Sequence, residues 1–319
     1  MATNECLNET KAGDAGLEQV ISEIRSDIGD IEKNISLYDE KNFNSRANAI
    51  DDIEFHIINR IDGLLQSTAP AAGLIGLKQR ARQVKLQLEK INDALFRRLR
   101  AMIQTGDCRG TAFRDMVGEF LGETLKKSVK HTSIGYDNLD LFLDGLFPIE
   151  TVPEETKERE PEMVFYQKTP ARIIFELVGK AEFKADDVFY DLGSGLGYVA
   201  VLVNLLSGVT TKGVEFEPAY CNYAGNFARR LKLPDVHFIN ADGRGADYSD
   251  GTTFFMYTPF EGRMLDEVLE KLRLDSQNRQ IKLFTYGPCT LQVAGQTWLT
   301  REYPEQQHIY KLEAFEKKM

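Results

Sequence analysis

The chain has 319 residues, 42% of them apolar, 28% charged and 10% aromatic, which excludes an intrinsically disordered protein and gives room for two domains. Its 39 basic and 49 acidic side chains leave a net charge of −10, which argues against a protein that coats nucleic acid through its whole surface. No apolar run approaches the roughly 18 residues needed to cross a bilayer, so the expectation is a cytoplasmic protein without a membrane partner.

The N-terminal third has a helical period. Leu17, Ile21, Ile24, Ile28, Ile31, Ile35 and Tyr38 alternate spacings of four and three, a heptad seam. After an interruption at Asn42 to Ser45, Ile50, Ile53, Ile57, Ile61 and Leu64 continue an apolar stripe. A third and longest helix carries Leu74, Leu77, Ala81, Val84, Leu88, Ile91 and Leu95 before Leu99 and Met102, and Thr105-Gly106-Asp107 stops it. Phe113, Met116, Val117, Phe120 and Leu121 then mark a shorter helix. Residues 1–148 therefore read as an antiparallel helical bundle, coiled-coil-like, whose seams serve an internal core or a homodimer surface. Charge along the chain is uneven. Residues 78–130 hold 13 Lys or Arg against 6 Asp or Glu, while residues 131–165 hold 2 against 9. Lys78, Arg82, Lys85, Arg97, Arg98 and Arg100 are read as the solvated face of the third helix, or as a contact for an acidic partner.

Residues 149–163, with two prolines, a third just before them at Pro148, and many charges, read as an acidic linker and place the domain boundary there. Beyond them, short apolar runs of strand length alternate with helical segments, the pattern of an α/β fold with a mostly parallel sheet over residues 164–319. Thr169-Pro170 opens a helix at Ala171. Ile281 to Tyr286 is the fifth strand, and Trp298 to Tyr303 with His308 to Phe315 close the sheet as an antiparallel pair.

The chemistry is concentrated at Val188-Phe189-Tyr190-Asp191-Leu192-Gly193-Ser194-Gly195-Leu196-Gly197, followed by YVAVLVNLL. This is strand, glycine turn, helix. Glycines are required where backbone takes positive φ or passes close to a ligand, and the helix N-terminus that follows offers free N–H groups. A dinucleotide fingerprint would need its third glycine at Tyr198, and the spacing here is GxGxG. Asp191, at the strand end, would oppose a pyrophosphate but suits a cofactor bearing an ammonium and a sulfonium. The second strand ends at Glu215, 24 residues later, followed by Glu217; a carboxylate there accepts from ribose hydroxyls. The third ends at Asp242, where an acceptor meets an adenine amino group. Cys6, Cys108, Cys221 and Cys289 form no CxxC pair, and the four His residues lack metal-ligand spacing, so no metal is expected.

These residues carry a resemblance. VFYDLGSGLGYVAVLV with GVEFEPAYCNYA resembles the core of class I S-adenosylmethionine-dependent methyltransferases, over roughly residues 164–319. Within that superfamily, VFYQKTPARIIFELV and DDVFYDLGSGLG are most similar to the Dot1-like histone-lysine methyltransferases. The resemblance implies a seven-stranded Rossmann-like sheet, mostly parallel with the last strand antiparallel. It further implies S-adenosyl-L-methionine as cofactor, with Asp191, Gly193, Ser194, Gly195 and Gly197 at its methionine end, Glu215 at the ribose and Asp242 at the adenine. Tyr166-Gln167-Lys168 would lie near the methionine, although the family has Gly-Glu after its Tyr.

On the acceptor side, Tyr257-Thr258-Pro259-Phe260 keeps the proline and aromatic of the Asn-Pro-Pro-aromatic element of amino-group methyltransferases but lacks its Asn. Tyr257, Thr258 and Tyr166 are the catalytic candidates, because an aromatic, low-dielectric wall favours the neutral form of an attacking amine. The leading reading is methyl transfer to a protein lysine or another macromolecular nucleophile. The alternatives are a small-molecule N- or O-methyltransferase and an inactive scaffold that retains the cofactor fold.

Overall fold

The structure, a computed structural model, describes residues 2–67, 72–122, 135–149, 151–302 and 308–318. It divides into two compact units, Met1–Arg98 and Leu99–Met319. The division falls inside a helix, not at the acidic segment 149–163 where the sequence places it. Packing explains this: the Gly110 N–H donates to Leu205 O at 2.7 Å, and the Phe147 ring meets Phe227 edge-on at 5.7 Å. Residues 110 and 147 are thereby bound to helices of the α/β core.

The helical unit contains α1 (Ala2–Lys33), α2 (Phe43–Asp51), α3 (Asn59–Ser67) and α4 (Ala72–Thr105), which runs on past the unit's end. Ile24, Ile28, Ile53, Ile57, Ile61, Leu74, Ala81 and Leu88 share one core, as the seams predict. Two departures are local. Asn34 accepts the Ser36 N–H at 3.2 Å and opens a tight 3-10 turn over Ile35–Tyr38, which ends the first seam early. Leu37 turns inward instead, and Ile35 is left 84% exposed. Between α2 and α3 a π-helical turn, Asp52–Ile58, shifts the stripe so that Ile57 and Ile58 are both buried. The basic residues of α4 are largely met by acids of the same unit: Lys78 pairs with Asp62, Lys85 with Glu54 and Arg98 with Glu40.

In the second unit, α5 (Thr111–Leu121) and α6 (Asn138–Leu146) precede α7 (Ala171–Ala181), β1 (Val188–Leu192), α8 (Tyr198–Ser207), β2 (Thr210–Glu215), α9 (Pro218–Arg230), β3 (Val236–Asn240) and β4 (Thr253–Met256). Then come α10 (Gly262–Asp275), β5 (Lys282–Thr285), α11 (Cys289–Ala294), β6 (Leu299–Arg301) and β7 (Glu313–Lys317). The strand order is β3-β2-β1-β4-β5-β7-β6. β7 is antiparallel to both its neighbours, and the other pairings are parallel. This is the seven-stranded, mostly parallel Rossmann-like sheet with a reversed last strand that the resemblance implied. Its helices follow from the sequence. α8 lies between Gly197 and Gly208, both at positive φ, and every residue from Tyr198 to Leu206 is buried. α7 is capped differently from the Thr169 expectation: Asp140 reaches across from α6 and accepts the Ala171 N–H at 2.8 Å. The chain leaves β1 toward β2 on one side and returns from β3 to β4 on the other, so the carboxyl ends of β1 and β4 flank a topological switch point, where open α/β sheets form their ligand crevice.

Among the described residues, no helix is long and apolar enough to cross a membrane.

Candidate active site

A cleft enclosing about 1090 Å³, its mouth included, opens at that switch point. The turn after β1 forms one wall. The Gly193 and Ser194 N–H groups both donate to Val214 O, at 2.9 and 3.0 Å, and the Gly195 N–H donates to Glu215 Oε2 at 2.7 Å. Gly193, Gly195 and Gly197 all take positive φ, and space alone would require glycine at each of them, a Cβ on Gly193 coming within 2.2 Å of Pro259. A Cβ on Gly195 would run into the Tyr166 ring, and one on Gly197 would come within 2.5 Å of Phe238. The absence of a side chain at Gly195 is thus what lets the Tyr166 ring pack against the turn.

Asp191, the penultimate residue of β1, lines the cleft, buried, with Oδ2 making no hydrogen bond. Burial, reinforced by the Glu215 carboxylate, lifts its carboxyl to about 8. Glu215 is held more firmly: Oε1 accepts the Glu217 N–H at 2.8 Å and Oε2 that of Gly195. Burial still pushes Glu215 upward, against those bonds. Each of its oxygens keeps a second lone pair, which fits a carboxylate that binds vicinal hydroxyls. The Ser194 and Tyr166 hydroxyls are buried without partners on the same wall.

The remaining expectations fare unequally. Asp242 lines the cleft, but Arg244 grips it through Nε at 3.0 Å and through its backbone N–H at 2.9 Å, and the guanidinium bonds hold its carboxyl below the usual range. Thr258 is buried at φ 42, and its hydroxyl faces the protein: Oγ1 donates to Tyr286 O and accepts the Cys289 N–H, both at 3.2 Å. Thr258, in the turn after β4, thus lines the cleft with its hydroxyl already engaged. Tyr257 does face the mouth, where its hydroxyl donates to Gln167 Oε1 at 3.0 Å, and burial raises its phenol to about 12. It is therefore a hydrogen-bond donor at neutral pH, not a base.

What sequence reasoning missed is the acidic segment 149–163. It is a wall of the cleft, fixed by its charges. The Thr156 hydroxyl and the Thr156 and Lys157 N–H groups donate to Glu217, at 2.6, 2.9 and 2.8 Å. Although burial opposes it, these bonds and the Ala219 N–H hold Glu217 down to about 2. Glu160 pairs with Arg244 at 2.6 Å, and Glu162 accepts the Met264 N–H at 2.7 Å, capping α10. Phe216, under the Lys157 ammonium at 4.4 Å, and Phe260, Tyr248 and Met264 of the core complete an apolar floor. No periodicity announces such single polar contacts; the dense carboxylates were the one available signal.

The donor set fits S-adenosylmethionine: an unpaired carboxylate and three unpartnered hydroxyls at the glycine turn, those of Tyr166, Ser194 and Tyr198, a second carboxylate at the β2 end, and an apolar floor. Residues 161–238 match the family model "Histone methylation protein DOT1". No curated protein matches the chain. Among solved structures, an RNA methyltransferase from Salinibacter ruber in complex with S-adenosyl-L-homocysteine is 19% identical, covering 47% of this chain and 92% of that one at a TM-score of 0.39. A precorrin-6y C5,15-methyltransferase from Geobacter metallireducens GS-15 is 16% identical, covering 49% and 93% at 0.37. A ribosomal protein L11 methylase from Lactobacillus delbrueckii subsp. bulgaricus is 13% identical, covering 47% and 79% at 0.38. The family match and the sheet topology together make the α/β unit a class I S-adenosylmethionine-dependent methyltransferase fold with Dot1-like similarity.

Proposed function

We propose that the protein transfers the methyl group of S-adenosylmethionine to a nitrogen of a macromolecule, with a protein lysine as the leading acceptor. The observation that carries the reading is the gathering of Asp191 Oδ2, Ser194 Oγ and the Tyr166 hydroxyl, all buried and unpartnered, in one cleft at the switch point. Buried polar groups are normally satisfied, and three orphans on one wall ask for a polar ligand. The bound cofactor supplies an electrophilic methyl on a sulfonium. Asp191, Ser194 and Tyr166 would hold its amino-acid end, Glu215 the ribose, and Phe216 and Phe260 the adenine side, with Asp242 at its edge.

Displacement at a methyl carbon requires alignment and exclusion of water more than proton transfer. Tyr166, Gln167 and Tyr257 meet at the mouth and supply an aromatic wall with hydrogen-bonding tips. No His, Lys or Cys is among the described residues that line the cleft, so an amine acceptor sheds its proton to solvent before attack. The aromatic wall lowers the cost of that step by favouring the uncharged amine. A protein acceptor is supported by the description of the matched family, histone methylation. Gln167-Lys168, in place of Gly-Glu, sets this chain apart at the mouth, so the proposal does not extend to histones.

The test supplies methyl-labelled cofactor with a protein extract and, separately, with that extract's low-mass fraction, followed by acid hydrolysis of the protein. N-methyl-lysine in the hydrolysate is expected. Label confined to the low-mass fraction would establish the small-molecule alternative, and no transfer despite cofactor binding would leave a scaffold.

A further inference from the structure

We propose that Asp191 is a proton switch coupled to cofactor binding: it is a neutral carboxylic acid in the unliganded protein and releases its proton to solvent as the cofactor's ammonium group enters. The inference rests on the cofactor reading above and adds a property of this chain's own residues.

The argument is one of charge balance within a closed space. Asp191, the penultimate residue of β1, and Glu215, the last of β2, lie on neighbouring strands and both line the cleft. Around Asp191 the groups are acidic or neutral: Glu215 from β2, Tyr198 from α8, Tyr166 from the segment before α7, with Gly213 and Phe255 beside it in the sheet. The cations nearby are committed elsewhere, Arg159 to Glu155 at 3.0 Å and Arg244 to Asp242 and Glu160. A buried carboxylate (Asp191) and a partly buried one (Glu215) that share a cleft without a cation do not both ionise, because each raises the cost of charging the other. Backbone N–H donors decide which one keeps the proton. Glu215 receives two, from Gly195 and Glu217, whereas Asp191 Oδ2 receives none. The proton therefore belongs on Asp191, in keeping with the upward displacement of its carboxyl.

An ammonium group brought into this space supplies the missing cation. The Asp191 O–H bond breaks, the proton passes to water, and the ammonium N–H groups gain a charged acceptor. Below the point where Asp191 ionises by itself, cofactor affinity must then rise with pH, because protons compete with the ammonium.

The experiment is calorimetric titration of the full chain with S-adenosylhomocysteine, in buffers of differing ionisation enthalpy, from pH 6 to 8. A parallel titration uses 5′-methylthioadenosine, which has the adenosine and thioether but no ammonium. For S-adenosylhomocysteine the expectation is release of close to one proton at pH 7 and affinity rising up to about tenfold per pH unit, levelling near pH 8. Methylthioadenosine should bind without proton release and with affinity independent of pH. Asp191→Asn should bind S-adenosylhomocysteine more weakly and release no proton. Binding of S-adenosylhomocysteine without proton exchange, or equal proton release by both ligands, would overturn the inference while leaving the cofactor reading intact. Failure of the wild-type protein to bind either ligand would remove both.

Discussion

The two units treat their buried polar groups in opposite ways. In the helical unit Arg46 is fully buried, yet Nε donates to Asn92 Oδ1 at 2.7 Å, Nη1 to the carbonyls of Leu37 and Asp39 at 3.2 and 2.7 Å, and Nη2 to Glu40 O at 3.1 Å. Among the described residues, every buried side-chain polar atom without a partner lies in the α/β unit, and those of Tyr166, Asp191, Ser194 and Tyr198 converge on one cleft. A satisfied polar group rigidifies a fold, whereas a cluster of unsatisfied ones is a cost that a ligand removes.

The comparison can be broken most directly at Arg46. Arg46→Ala removes four hydrogen bonds and takes the guanidinium donor from the Leu37, Asp39 and Glu40 carbonyls, so chemical denaturation should show a loss of about 3 kcal/mol or more, with S-adenosylhomocysteine affinity unaltered. An equal loss of affinity would mean that the two units do not divide stability from binding. Next in size, Gly195→Ala forces a Cβ into the Tyr166 ring at φ +51, and should cost about 2 kcal/mol in stability and weaken S-adenosylhomocysteine binding at least tenfold. Unchanged binding would show that the turn and Tyr166 are merely structural.

Asp191→Asn sharpens the contrast because its sign is unusual. The unfolded chain's Asp ionises near pH 3.9, whereas the folded one holds its proton to about 8, so unliganded stability falls as pH rises through that window. The uncharged variant escapes this loss. Thermal melts without cofactor should show it gaining on the wild type between pH 5 and pH 8, by up to about 1.4 kcal/mol per pH unit. A constant difference across that range would place the proton elsewhere.

Glu217 gives the smallest effect and the opposite sign. Its folded carboxyl is held to about 2, below the ordinary 4.5, so its contribution is present above about pH 4.5 and is lost as pH falls toward 2. Glu217→Gln should cost about 1 kcal/mol at pH 7, chiefly the α9 cap and the Thr156 clamp, and the difference from wild type should shrink in acid. Proteolysis between residues 149 and 163 should quicken in the variant, since those bonds tie down that wall.

The α/β half was legible in the sequence because its signals are local. Short apolar strand runs, the helix that opens at Tyr198 and the GxGxG turn each depend on neighbours a few residues apart, and the resemblance added a seven-stranded, mostly parallel sheet. Asp191, Glu215 and Asp242 could be set at strand ends by counting alone. The tertiary structure decided what those carboxylates do. Arg244 claims Asp242, backbone donors claim Glu215, and Asp191 is left bare, each through contacts that sequence spacing does not encode. Thr258 lines the cleft, but its hydroxyl is engaged by a carbonyl and an amide from the segment after β5, a pairing that spacing does not encode either. The helical seams predicted an apolar core but not the turn at Asn34 or the π-helical shift at Asp52, because a hydrogen bond of one side chain can outweigh the period of a stripe. Composition made residues 149–163 a linker; folding made them a wall, since carboxylates that look solvated in a sequence become helix caps and ion pairs wherever a chain brings amides and guanidinium groups to meet them.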